Sequence, residues 1–496
     1  MSTVSDNPNP TEHFDVVVVG AGISGVGAAY HLQDQCPDKS FVVLENQSSF
    51  GGTWRTHRYP GIRSDSDLYT FGYRFKPWTG APIATSAEIL SYMNEVIQEN
   101  SLDDHIRYGQ QILSADWSAQ TSQWRLQVAC LASGVTREVT AGFLWMCQGY
   151  YRHAKGYTPE WPGMEDFKGQ IVHPQSWPED LDYQGKSVVV IGSGASAATI
   201  VPAMAPTSKQ VTMLQRSPTF FTTGRNANAL ADTLRELDIQ EDWIHEIVRR
   251  KILFDQSVFT RRARTEPDVV KQELLDGVRN FLGDDFDIDT HFTPKYRPWR
   301  QRIAFIPEGD LFEAIKQKQA NVVTDEIERF TESGLLLKSG ATLDADLVVT
   351  ATGFDLSVMG DIQFSLDGKQ LDFADSVTYR GMMFAGVPNM AWVFGYFRAS
   401  WTLRTDLVGD FICRLLKRMD ASQSAQVVPT LRPQDADMQI KPWIDNEDFN
   451  PGYLSRSAHL LPQQGDRQPW IHTQDYWADK DELPAVDLDD GSLKFS

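Results

Sequence analysis

Two stretches of this chain repeat one pattern: four consecutive apolar residues, a glycine-rich break, then apolar positions at helical spacing. The first is FDVVVVGAGISGVGAAYHL (14–32), and the strand that follows it, SFVVLE, ends in Glu45. The second is KSVVVIGSGASAATIV (186–201), followed by QVTMLQRS, which carries Arg216 near its end. An apolar run closed by glycine predicts a strand buried on both faces, and strands alternating with helices predict a parallel sheet. Between the repeats, helical spacing covers Ser86–Asn100, while the alternation in WRLQVAC and REVTAGFLWMCQG predicts an antiparallel excursion ending in a buried strand. Residues 226–292 read as helix without any glycine-rich turn. LVVTATGFD (347–355) reads as a short buried strand broken at Gly353, and DLVGDFICRLLKRMD (406–420) as a further helix.

The turns carry chemistry. In each, the first glycine (Gly20, Gly192) makes the tight bend and the second (Gly22, Gly194) lets backbone approach a pyrophosphate. The third position (Gly25, Ala197) lets helix pack closely on strand. Glu45 can accept hydrogen bonds from both hydroxyls of a ribose with a free 2′-OH, whereas the guanidinium of Arg216 suits a 2′-phosphate that a carboxylate would repel. Two different dinucleotides are therefore expected. The fold class that follows is α/β, with two dinucleotide-binding Rossmann-like domains and a helical insertion in the second. The expected division is 1–149 for the first domain and 150–225 for the second, 226–298 for the insertion, 299–345 for the return to the second, and 346–496 for the return to the first with a covering segment.

The 496 residues suffice for two or three domains. A net charge of −20 excludes a general nucleic-acid binder and requires local positive charge wherever a nucleotide phosphate sits. Cys36, Cys130, Cys147 and Cys413 form no CxxC, and MSTVSDNPNPTEHF has no apolar core of a secretion signal, so a reducing cytoplasm is the expected setting. The apolar stretch at Phe14–Ala29 is too short to span a bilayer, which leaves only peripheral membrane contact open. The basic run Arg249, Arg250, Lys251, Arg261, Arg262 and Arg264 reads as a solvated helical face, with a partner or membrane surface as the alternative. The ten histidines show no metal-ligand spacing, so no metal is assigned.

FKGQIVHPQSWPED contains Phe167, Gly169, His173 and Trp177 in the spacing FxGxxxHxxxW, flanked by the two glycine-rich turns. With GGTW (51–54), YPGIRSDSDLY (59–69) and ATGFD (351–355), the chain resembles the class B flavoprotein monooxygenases of the Baeyer–Villiger type, in the ethionamide-activating, long-chain-ketone-oxidising branch. The resemblance implies FAD at the first turn and NADPH at the second. It implies insertion of one oxygen atom of O₂ beside a ketone carbonyl through a flavin C4a-peroxide, giving an ester or lactone, with sulfides also oxidised. A heteroatom-oxygenating enzyme without ketone activity is the alternative. Thr199 departs from the glutamine of many relatives.

By the same resemblance Arg302 supplies a fixed positive charge beside the flavin, with Arg300 competing, and Asp65 orients it, with Asp67 as substitute or as a turn cap. Gly52, Thr53, Trp54, Tyr69 and Asp355 join the cofactor set. His173 couples domain movement to NADPH engagement or is a buried structural histidine. Tyr59, Tyr73, Trp78 and Trp401 are candidates for the walls or for the core.

Overall fold

A computed structural model describes residues 11–496. β1 (Glu12–Val19) runs into the first glycine turn and α1 (Ile23–Gln35), and β2 (Phe41–Leu44) lies parallel to it. Val16, Val17 and Val18 have no exposed surface, each burial contributing about 1.5–3 kcal/mol. A short helix, α2 (Leu68–Phe71), sits in the irregular segment, and α3 (Ser86–Glu99) opens on a capping box between Thr85 and Glu88. β3 (Gln110–Ser118), β4 (Gln123–Cys130) and β5 (Thr136–Met146) form the expected antiparallel excursion. β5 then returns beside β1 in parallel, from Glu12 opposite Val139 to Val19 opposite Met146.

A second parallel sheet begins with β6 (Ser187–Ile191), followed by α4 (Ala195–Met204) and β7 (Gln210–Gln215). The insertion is helical, chiefly α5 (Glu241–Thr265) and α6 (Pro267–Leu282). The chain returns to this sheet through β8 (Ala320–Thr324) and β9 (Leu347–Thr350), giving the order β8, β7, β6, β9 and the strand Gln170–Val172, all parallel. The boundary expected between residues 345 and 346 thus falls one strand early. β9 pairs with β6, because its four buried residues need cover on both faces, and the chain leaves the second sheet only after Thr350.

The remaining chain packs on the first domain. α7 (Trp401–Ala421) lies against α1, burying Leu403, Val408, Phe411, Ile412 and Leu415. A short helix, α8 (Gly452–Arg456), lies beside the strand Phe354–Leu356. Among the described residues no helix is long and apolar enough to cross a membrane.

Arg249 departs from the expected solvated face. It is 4% exposed and donates to the carbonyls of Tyr69, Thr70 and Gly72 at 2.9, 3.3 and 3.1 Å, fastening α5 onto α2. Its position on the helix explains this: Ile244, His245, Val248 and Arg249 share the inner face. Arg250 and Lys251 remain exposed and pair with Glu246 and Asp255.

Candidate functional site

At the first turn, Gly20 has φ +95°, and a Cβ on Gly25 would lie 1.8 Å from the Gly20 carbonyl oxygen. Only glycine satisfies both positions. Gly22 precedes α1 and leaves its first N–H groups without a side-chain cap, facing a cavity of about 390 Å³. Gly20, Gly22, Glu45, Gly52, Thr53 and Trp54 line that cavity. The Glu45 carboxylate is 4% exposed and fixed by two backbone donors, Ala21 N–H at 2.6 Å and Gln47 N–H at 2.8 Å. Burial raises its pKa against the lowering effect of those donors.

Asp65 and Arg302, 237 residues apart, meet at 2.9 Å, Arg302 Nη2 donating to Asp65 Oδ2. The pair lines the first cavity and two more. A second, of about 360 Å³, lies under the insertion, walled by Gln256, Phe259 and Thr260 of α5 with Trp299 and Phe397. A third, of about 310 Å³, reaches the second turn and is lined by Gly194, Ala198 and His173. The 38% of the Arg302 side chain that is exposed opens onto these cavities. Asp65 raises the guanidinium's pKa, outweighing burial, so the charge is permanent.

The neighbouring candidates have other work. Asp67 caps α2, accepting from Tyr69 N–H at 2.9 Å, and burial pushes its carboxyl up to about 7. Arg300 pairs with Glu447 at 3.1 Å and lines none of the three cavities. Between Arg300 and the preceding proline, Trp299 adopts φ +62°, a left-handed conformation costly for a bulky residue, at the wall of the second cavity.

At the second turn Gly192 has φ +132° and a Cβ there would meet the Ala351 carbonyl oxygen at 2.3 Å, whereas Gly194 has nothing within 4 Å. Ala197 is fully buried. Arg216, the residue after β7, is exposed and has no ion-pair partner among the described residues. Phe167 is buried against Phe330, their rings 5.8 Å apart, and a Cβ on Gly169 would lie 2.4 Å from the Asp346 carbonyl oxygen. His173 accepts Gln175 N–H on Nδ1 at 3.1 Å and so donates through Nε2 to the Gly353 carbonyl at 3.0 Å. Burial lowers its pKa, keeping the ring neutral. Trp177 packs on the core of the second sheet.

Two expected cofactor neighbours lie elsewhere. Tyr69 is 1% exposed, its ring stacks on His245 at 5.9 Å and its hydroxyl accepts from Arg235 at 3.2 Å, because α2 turns that side chain toward the insertion. Asp355 lines none of the three cavities, since the strand Phe354–Leu356 presents Phe354 to the third. Of the other aromatics, Trp401 lines the first cavity and donates to Ser24 Oγ at 2.7 Å, and Tyr59 lines the third. Tyr73 and Trp78 belong to the core. The sequence reading missed Tyr150, Tyr151 and Tyr453, which line the first and third cavities. The doublet in CQGYY follows a buried strand and a glycine, as GFD does in ATGFD, and that shared context was the available signal.

Residues 18–79 match a family model described as an NAD(P)-binding Rossmann-like domain, and residues 82–229 one described as flavin-binding monooxygenase-like. The FAD-containing monooxygenase EthA of Mycolicibacterium smegmatis is 45% identical, over 98% of this chain and 98% of that protein. Among solved structures, oxidised steroid monooxygenase bound to NADP is similar with TM-score 0.74 and 22% identity, covering 97% of this chain and 99% of that one. Cyclohexanone monooxygenase bound to ε-caprolactone is similar with TM-score 0.75 and 18% identity, covering 98% and 100%.

Proposed function

The chain belongs to the class B flavoprotein monooxygenases, and we propose that it inserts one oxygen atom of O₂ beside the carbonyl of a ketone, giving an ester or lactone at the expense of NADPH, and that it also oxidises sulfides. The observation that carries this is the Arg302–Asp65 pair at the meeting of three cavities, one on each glycine turn and one under the insertion. The lactone-bound cyclohexanone monooxygenase, similar in fold, supports the reading.

The residues fit both cofactors. Gly20, Gly22 and the open N-terminus of α1 suit the pyrophosphate of FAD, Glu45 its adenosine ribose, and Gly52, Thr53 and Trp54 continue the wall beside Gly22. Gly194 offers the unobstructed approach that NADPH needs, and Arg216 a cation for its 2′-phosphate. When bound, FAD reduced by NADPH supplies the activation of O₂. This chain's own residues supply the rest. Arg302 holds a fixed positive charge where oxygen becomes negative. Asp65 keeps that charge placed. His173 holds the crossover at Gly353, where the chain passes from the NADPH turn toward the flavin side. The second cavity, apolar at Phe259, Phe305, Ile303 and Phe397, takes the ketone. All four cysteines are free, which supports a reducing, cytoplasmic setting.

The test is oxidation of a ketone panel of varied chain length and ring size under ¹⁸O₂, with NADPH and with NADH. Labelled ester or lactone, formed in preference with NADPH, is expected. Sulfoxide from a thioether without any ester would leave the heteroatom-oxygenating alternative.

A further inference from the structure

Among the described residues Asp65 is the one hydrogen-bond partner of the Arg302 guanidinium, although that group carries several N–H donors and opens onto three cavities. Three phenols gather beside it. The hydroxyls of Tyr150 and Tyr151 are 2.7 Å apart, and the ring of Tyr453 lies 6.4 and 6.1 Å from theirs. Tyr150 and Tyr151 share the first cavity with Arg302, and Tyr151 and Tyr453 share the third with it. The Tyr453 hydroxyl is buried and makes no hydrogen bond of ordinary geometry, although the Tyr150 and Tyr151 hydroxyls lie close enough to lower its pKa. An orphaned phenol costs desolvation energy unless some state of the molecule satisfies it.

We propose that Tyr453, backed by the bonded Tyr150–Tyr151 pair, is a positioning seat for Arg302: when the guanidinium leaves Asp65, the Tyr453 hydroxyl accepts one of its N–H groups. The chemistry favours such a seat. Asp65 holds Arg302 with an opposite charge and so cancels much of the field that the reacting oxygen should feel. A phenol accepts the same hydrogen bond while remaining neutral, leaving the positive charge uncompensated. Burial raises the pKa of the Tyr453 phenol against the lowering pull of Arg302, so it stays a neutral acceptor. Because Tyr453 belongs to α8, the seat exists only while the C-terminal segment is docked beside the strand Phe354–Leu356.

This inference rests on the role proposed for Arg302, and its test separates the two. Ester per NADPH in the parent enzyme tests the function, and the variant-to-parent ratio tests the seat; if the parent forms no ester, sulfoxide per NADPH gives the same ratio. Tyr453→Phe should retain FAD and keep the ketone KM, while kcat and yield fall about tenfold, as for one lost hydrogen bond to a charged group. In an Arg302→Lys background the same step should change the yield by less than about twofold, since the hydroxyl acts through the guanidinium. In FAD-free protein, phenylglyoxal labelling of Arg302, mapped by peptide mass, should be faster in Tyr453→Phe than in the parent. Unchanged yield, equal losses in both backgrounds, or equal labelling overturns the seat. If Tyr453→Phe fails to retain FAD, Tyr151→Phe carries the same three measurements, and FAD loss there too assigns the phenols to packing and overturns it.

Discussion

Arg302 and Asp65 meet at 2.9 Å across 237 residues of chain, and neither is anchored by a second ion pair among the described residues. Replacing Arg302 with Ala should leave FAD bound, because the first turn and Glu45 lie in other elements. Ester formation should fall by about 10²–10³ or more, while NADPH oxidation continues with release of peroxide. Lysine should rescue only in part, as a point charge without the planar fork. The measurement is ester yield per NADPH alongside flavin occupancy; near-parental coupling in the Ala variant would reduce Arg302 to a structural role.

In the proposed function Arg216 sets the choice of nicotinamide. Arg216→Ala should raise the KM for NADPH by about 10–100-fold, the cost of removing a charge-assisted contact, and leave the KM for NADH nearly unchanged. Matched kinetics with both cofactors decide it, and equal losses for both would place the 2′-phosphate elsewhere.

The two turns offer a controlled pair of alanine substitutions. Gly192→Ala drives a Cβ to 2.3 Å from the Ala351 carbonyl oxygen at a φ of +132°, so protein yield and thermal stability should drop. Gly194→Ala meets nothing within 4 Å and should fold normally with full FAD. Its methyl group instead occupies the surface open to the third cavity, and NADPH affinity should fall about tenfold. Titration of NADP⁺ into the Gly194→Ala holoenzyme checks this, and parental affinity would show that backbone does not approach the cofactor there.

Asp67 gives a pH signature. Its carboxyl, pushed up to about 7 by burial, binds a proton more tightly folded than unfolded, where the ordinary value is 3.8. Below the unfolded value both states are protonated and nothing is gained or lost. As pH rises from there toward 7 the unfolded state releases its proton while the folded state must keep it, so this residue makes stability fall across that window. Asp67→Asn keeps an N-cap residue of similar strength and cannot ionise. Its Tm should match the parent near pH 4 and exceed it by about 2 °C at pH 8. A difference that does not change with pH would show that the carboxyl titrates normally.

The glycine turns were legible because covalent geometry leaves no substitute: a Cβ 1.8 Å from a carbonyl oxygen excludes every residue but glycine at Gly25. The pairing of Asp65 from YPGIRSDSDLY with Arg302 from PWRQR was legible only through family resemblance, which kept Asp67 as a substitute or a turn cap; in the structure Asp67 caps α2. Tyr69 was misplaced because burial in a core and exposure to a cavity both favour aromatics, and composition cannot separate them. Arg249 was different. Its helical phase with Ile244 and Val248 marked an inward side chain, and the surrounding basic run obscured that phase.

The second cavity takes its walls from distant stretches: the segments Asp65–Asp67 and Pro82–Ile83, the strand and turn around Thr222–Asn228, one face of α5, the Trp299–Phe305 crossing and the loop Phe397–Ser400. None belongs to either glycine turn. With the ketone in this cavity, as proposed, changes in α5 and its neighbours would reshape what the enzyme accepts while the glycine turns stay intact, and descendants with new diets need not relearn how to hold their cofactors.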